Sequence, residues 1–314
     1  MIPLILFALA QAQPIPSVPQ SPSARTESME TSWKSTAPAP EIRRRAADEL
    51  RRAVDAAKAQ TDDVEASTTL RSAARTAVNT LGNRSQIAGS ITLALEAVDP
   101  SERNAGEKAT LTALRKELDR IARDLAFSPL LESPRTRGFP SATVVGEIEV
   151  LEYPAYRMAR APMKSAAVGG QNTAFWKLFR HIQSHDIPMT APVEMRWESA
   201  ENAAERAAGA FESMSFLYVS TDVGRTGHDG EVEVLDVPAA TVVSLGLRGS
   251  SNRERAELER ARLYNWISAR PQRFEITGPP RMMGWNSPMV ADAKRYWEVQ
   301  YPVRILPDAV ELQK

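Results

Sequence analysis

An α+β domain preceded by an all-α region follows from three features of this 314-residue chain. Aromatic and methionine residues are concentrated in its second half: 17 of 20 aromatics and eight of ten Met fall in 128–314, whereas 41–127 has a single aromatic, Phe127. The apolar period changes at the same place, from helical spacing to strand-like alternation. The second half also contains a gapless internal repeat, in which Glu147–Ala159 aligns on Glu231–Val243 with six of 13 positions identical, at an offset of 84 residues.

Taken in order, residues 2–10 (IPLILFALA) are an apolar run of signal-peptide length followed by Ala-x-Ala steps, so 1–12 reads as an export signal. The expected location is periplasmic or extracellular, and cytoplasmic if that run is not a signal. Residues 13–40, rich in Pro, Ser, Thr and Gln, cannot bury enough apolar surface to offset chain entropy and read as a disordered linker. From 41 to 127 the residues are mostly Ala, Arg, Glu, Leu and Asp, which favour helix. Ile42, Ala46, Leu50, Ala53, Val54 and Ala57 form one stripe, and Leu111, Leu114, Leu118, Ile121, Ala122 and Leu125 another. Three or four helices are expected, broken at Gly82-Asn83 and Asp99-Pro100, forming a bundle or lying on the next domain and available for self-association.

Beyond the linker at Pro129–Pro140, each copy of the repeat reads as strand, Pro-centred turn and strand, followed by a helix (172–184 and 252–268). Two more strands follow each helix, at 189–197 and 213–220, and at 272–282 and 294–303. Duplicated strand–strand–helix–strand–strand units over 141–305 would close into a distorted eight-stranded antiparallel barrel with two helices and a cleft on the pseudosymmetry axis. Glu147, Glu149 and Glu152 are expected on a solvent face, and Ser250 or Ser251 at the cap of the second helix.

Much chemistry is excluded. Zero Cys removes thiolate metal sites, iron–sulfur clusters, Cys nucleophiles and covalent haem attachment. Lys+Arg 39 against Asp+Glu 39, balanced in both halves, provides no basic excess for a nucleic acid. The apolar N-terminal run is far shorter than the ~20 residues a membrane span needs. No Gly-x-Ser-x-Gly elbow occurs. His181 and His185 have the i, i+4 spacing of a zinc protease, but Ile182 stands where its general-base Glu would be and no third ligand is evident, His228 lying in a Gly-rich loop. What remains is adaptable apolar material: Met158, Met163, Met189, Met195, Met282, Met283 and Met289 with Phe175, Trp176, Phe179 and Trp285; Arg180 is a charge beside Phe179 on the helix that could point at an anionic ligand group.

The strand Ile148–Arg157 (IEVLEYPAYR), the helix Phe175–Ile182 (FWKLFRHI), the segment Ile187–Val193 (IPMTAPV), the tract 274–278 and the pair Gly284–Pro288 (GWNSP) and Arg295–Val299 (RYWEV) resemble the SOUL haem-binding family over about 144–303. The resemblance implies a duplicated α+β fold and non-covalent, non-catalytic binding of haem or another tetrapyrrole in a shallow apolar groove along the first helix. Carried over by position, Phe175, Phe179 and Arg180 would face the groove, with the Gly284–Met289 loop and Met289 across from them. Some members carry a His before the Tyr of the first strand, where this chain has Glu152. His181 is then the candidate axial ligand, and no other metal ligand stands out. The competing readings are an interaction module, or a site for another small amphipathic ligand, on the same fold; a metal enzyme or hydrolase would need metal at His181 and His185.

Overall fold

The computed structural model describes residues 34–97, 107–163, 170–198 and 211–307. The export signal, most of the 13–40 linker and the Asp99-Pro100 break lie outside these residues.

Among the described residues, four helices form the N-terminal part: α1 (Pro40–Ala59), α2 (Asp63–Leu81), α3 (Gln86–Glu96) and α4 (Glu107–Leu125). Their boundaries follow from local chemistry. Pro40 occupies the first turn of α1, where no amide donor is needed, and Asp62 accepts from the Val64 and Glu65 amides to cap α2. Gly82 takes the positive φ (+82°) that ends α2. The predicted stripes close on one another as a bundle core in which Leu50, Leu70, Ile91, Leu114 and Leu118 are buried among alanines small enough to let the helices approach closely.

The second part is a single antiparallel sheet with helices α5 (Gly170–Ser184) and α6 (Arg253–Ser268). Its strands are β1 (Ile148–Tyr153), β2 (Tyr156–Pro162), β3 (Val193–Trp197), β4 (Phe211–Leu217), β5 (Gly227–Asp229), β6 (Val232–Val237), β7 (Ala240–Arg248), β8 (Phe274–Ile276), β9 (Arg281–Gly284) and β10 (Tyr296–Ile305). The order across the sheet is β1-β7-β10-β9-β3-β4-β2-β6-β5, with β8 paired to β10. The α+β class therefore stands, but the expected eight-stranded barrel does not describe the pairings, which run from β1 to β5 without closing. The reason lies at the two ends. The outer edge of β1 is taken by residues 34–36, with the Thr36 amide donating to the Ile148 carbonyl and the Val150 amide to that of Lys34, while β5 covers the outer edge of β6. Each edge is thus satisfied by its own short segment rather than by the other. Two smaller expectations also change: 272–282 is split into β8 and β9, and Asn252, not Ser250 or Ser251, caps α6 by accepting from the Arg255 amide.

The register places both helices on one face. Trp297, Gly284, Val193, Phe216, Ala159 and Val234 are successive cross-strand neighbours, and Phe216, Ala159 and Val234 belong to the core under α5. The opposite face carries polar side chains: Ser244, Glu298, Gln300, Arg281 and Glu194, all buried. Arg281 donates from Nη1 to Glu194 (3.0 Å) and to the Tyr156 hydroxyl (2.7 Å) and from Nε to Gln300 (2.9 Å), while Arg196 donates to the other Glu194 oxygen (2.9 Å). Glu298 accepts from the Thr143 amide, the Tyr296 hydroxyl, the Trp285 indole and Gln300.

The bundle and the sheet are joined by buried polar contacts. Glu147 is fully buried rather than on a solvent face, because α3 starts against it: it accepts from the Ser85 hydroxyl (2.5 Å), the Gln86 amide (2.8 Å) and the Thr36 hydroxyl (2.7 Å). Gly146 just before it has φ +80°, and a Cβ there would come within 2.8 Å of Ile87, so glycine is required by both backbone and space. Asp124 at the end of α4 pairs with Arg248 at 2.6 Å, and Phe127 stacks on Tyr296. Among the described residues no helix is long and apolar enough to cross a membrane.

Candidate functional site

Helix α5 packs on β2, β4 and β6. Ala174, Leu178 and Ile182 form its buried stripe, against Phe216, Met214, Val232 and Val234. The FWKLFRHI run then divides by face. Phe175 and Phe179 are half-buried on the flank of this core, stacked on each other at 6.0 Å, with Phe175 edge-on to Phe216. Trp176 turns outward and is 54% exposed, in edge contact with Phe179 at 5.6 Å. Arg180, one turn on, is exposed and donates from Nε to the Trp176 carbonyl (3.1 Å). Asn172, Thr173, Trp176 and Arg180 line a shallow open concavity of about 430 Å³.

His181 lies on the inner side of the same helix and is only 6% exposed. Its Nδ1 is 2.7 Å from Asp229 and its Nε2 is 2.9 Å from the Tyr218 hydroxyl, so both ring nitrogens already have partners. Burial, opposed by Arg157 and aided by Asp229, pushes the Tyr218 phenol up to about 12, and the hydrogen bond from His181 holds the Asp229 carboxyl below its ordinary range. His185, one turn further, is half-exposed, with Nδ1 at 2.9 Å from the His181 carbonyl. Met289 is elsewhere. It is 88% exposed in the loop after β9, which is tied to the linker through Asn286 and Ser287 contacts with Leu130 and Glu132, and it does not line the α5 concavity. Of the other methionines, Met158, Met282 and Met283 are buried and Met163, Met189 and Met195 pack on the α5 core. Of the residues expected in the groove, Arg180 lines the concavity, alongside Trp176, Asn172 and Thr173; Phe175 and Phe179 pack beside the α5 core, with Phe179 in edge contact with Trp176.

The sequence model of SOUL heme-binding proteins matches residues 139–302. The chain belongs to the SOUL heme-binding protein family. The match covers the whole sheet of the SOUL domain up to Pro302 in β10, and leaves the four-helix bundle outside. Curated proteins give no match. Solved structures similar to it include the EcmrR–DNA complex (14% identity, 50% of this chain, 57% of that one, TM-score 0.38). Others are an uncharacterized conserved protein from Listeria innocua (12%, 55% and 94%, 0.37) and a transcription regulation protein from Staphylococcus aureus MU50 (10%, 50% and 97%, 0.31). The chain spans just over half the length of the first of these. Likenesses this distant have no bearing on ligand or activity.

The residues of the concavity fit the planar, carboxylate-bearing macrocycle that the SOUL family is named for. An exposed indole offers a flat apolar surface, Phe179 meets it edge-on, and the exposed Arg180 guanidinium could pair with a carboxylate. The set is poorer in iron ligands, since His181 is engaged on both nitrogens.

Proposed function

We propose that this SOUL protein binds haem or a related tetrapyrrole non-covalently on the outer face of α5, carrying it rather than transforming it. The observation that supports this most is Trp176, a large apolar side chain more than half exposed at the edge of a concavity and backed by Phe179 and Phe175. Trp176 would supply the stacking surface, with Phe179 edge-on behind it, Arg180 the pairing for a propionate, and Asn172 and Thr173 a polar rim. Bound haem would bring a redox-active iron and its Soret absorbance. Without Cys, nothing can tether it by thioether or thiolate. With both His181 nitrogens in use, packing and charge pairing hold the ring.

A duplicated scaffold is part of this reading. The bounds of β1 and β6, and the starts of β2 and β7, are each 84 residues apart. Exchanging β1 with β6, β2 with β7, β3 with β9 and β4 with β10 also reverses the strand order about the β9–β3 pair. Both facts support a pseudo-twofold origin, with α5 and α6 as counterparts.

Two variants test the site. Trp176→Ala removes roughly 2 kcal/mol of apolar burial, so hemin should bind at least about tenfold more weakly, with the fold intact because the side chain faces outward. His181→Ala should leave the Soret maximum of the bound form where it is. A Trp176→Ala protein with undiminished hemin affinity would place the ligand elsewhere, and a shifted Soret maximum in His181→Ala would make that imidazole a ligand.

A further inference from the structure

The spacing of His181 and His185 lacks a third ligand in sequence, and the fold supplies one. The hairpin β5–β6 turns at Gly230, whose φ of +59° suits the first position of a two-residue turn, and delivers Asp229 to the C-terminal end of α5. An ion pair between Lys177 on α5 and Glu231 in the turn clamps it there. As a result His181 Nδ1 is 2.7 Å and His185 Nδ1 is 3.9 Å from Asp229 Oδ2, and the two imidazole centroids are 4.5 Å apart. We propose that His181, His185 and Asp229 form a site for a divalent cation of the zinc class, with two imidazole nitrogens, one carboxylate oxygen and an outward position for water.

The geometry suits such an ion. Zinc bonds of about 2.0–2.2 Å in a tetrahedron set ligand atoms roughly 3.3 Å apart, and the two nitrogen–oxygen distances bracket that value. His181 is buried with Nε2 against the Tyr218 hydroxyl, and the ion would take the place of the proton that its Nδ1 now shares with Asp229; the His185 and Asp229 side chains are half-exposed, and His185 would turn its Nδ1 from the His181 carbonyl to reach the ion. A second group on the far nitrogen of a ligating imidazole is the usual means of orienting it. Two nitrogens with a single carboxylate favour zinc, cobalt or nickel over magnesium or calcium, which prefer oxygen alone. Ile182, buried under the helix, stands where a hydrolytic metal site would need its general base, so this site captures an ion or staples the hairpin to α5 rather than cleaving a substrate. It is separate from the concavity at Asn172, Thr173, Trp176 and Arg180 and does not depend on haem binding there.

The test uses the full chain without a histidine tag, stripped with chelator and free of hemin. Zinc chloride is titrated by calorimetry, and cobalt chloride is followed by its visible d–d bands. One zinc per chain at micromolar dissociation constant, and cobalt bands of tetrahedral intensity, are expected. His185→Ala and Asp229→Asn, both at half-exposed side chains, should each weaken binding by about tenfold or more. Absence of saturable zinc binding to the unsubstituted chain would overturn the proposal, as would binding that both variants leave unchanged.

Discussion

Replacing Arg281 by Met should lower the stability of the SOUL domain by about 3–5 kcal/mol, because it leaves the Glu194 carboxylate buried without its principal counter-charge. Both side chains are nearly inaccessible. Burial pushes the Glu194 carboxyl up, and Arg281 and Arg196 more than reverse this, so it sits below the ordinary carboxylate range. The Arg281 guanidinium is raised in turn: burial opposes its charge, but Tyr156, Glu194 and Tyr153 outweigh it. Buried pairs of this kind contribute little relative to an apolar substitute for both partners, while loss of one partner is costly. The double variant Arg281→Met/Glu194→Gln should therefore recover much of the loss. Urea unfolding followed by tryptophan fluorescence reads the right part of the molecule, since five of the six Trp lie beyond residue 128. An Arg281→Met midpoint within error of the unsubstituted protein would show that the pair is not a buried charge pair.

Glu147→Ala should cost about 2–3 kcal/mol and act on the attachment of the bundle, since it strands the Ser85 hydroxyl and the Gln86 amide at the start of α3. Helical ellipticity should melt earlier while tryptophan fluorescence changes less. Glu147 also has a pH signature. Burial raises its carboxyl above the ordinary 4.5, and the hydrogen bonds from Ser85, Thr36 and the Gln86 and Ile87 amides only partly offset this. A raised native value means that the folded state holds the proton more tightly than the unfolded one. The associated stability is complete below about pH 4.5 and is lost as pH rises through the raised value. Glu147→Gln should flatten the stability profile over that interval. An unchanged profile would contradict the assignment.

The parts of this structure legible in the sequence are those set by local period. The alanine and leucine stripes of 41–127 gave the bundle helices, the alternation after Val144 gave the strands, and Phe175–Ile182 gave α5 and the family. What could not be read depends on partners far away in the chain. Glu147 looks like a solvent-facing strand residue until α3, 61 positions earlier, is packed on it. Glu194 and Arg281 are 87 residues apart and meet only through the pairing of β3 with β9. Asp229 sits in a three-residue strand inside a glycine-rich stretch with no apolar period, which is why the third member of the histidine cluster stayed hidden. The unclosed sheet depends on edge segments at 34–36 and 227–229 too short to carry a pattern. Trp176 was visible as aromatic material, but its outward direction is a matter of helix phase against β2 and β4.

Hemin titrated into the purified full chain, followed through the Soret band and tryptophan quenching, tests the α5 site directly. The α5 site predicts a saturable one-to-one Soret change at micromolar hemin, with quenching that includes Trp176 and an affinity at least about tenfold lower in Arg180→Glu, where repulsion replaces the propionate pair. A Soret signal that rises linearly without saturation, as for hemin in buffer, would contradict it.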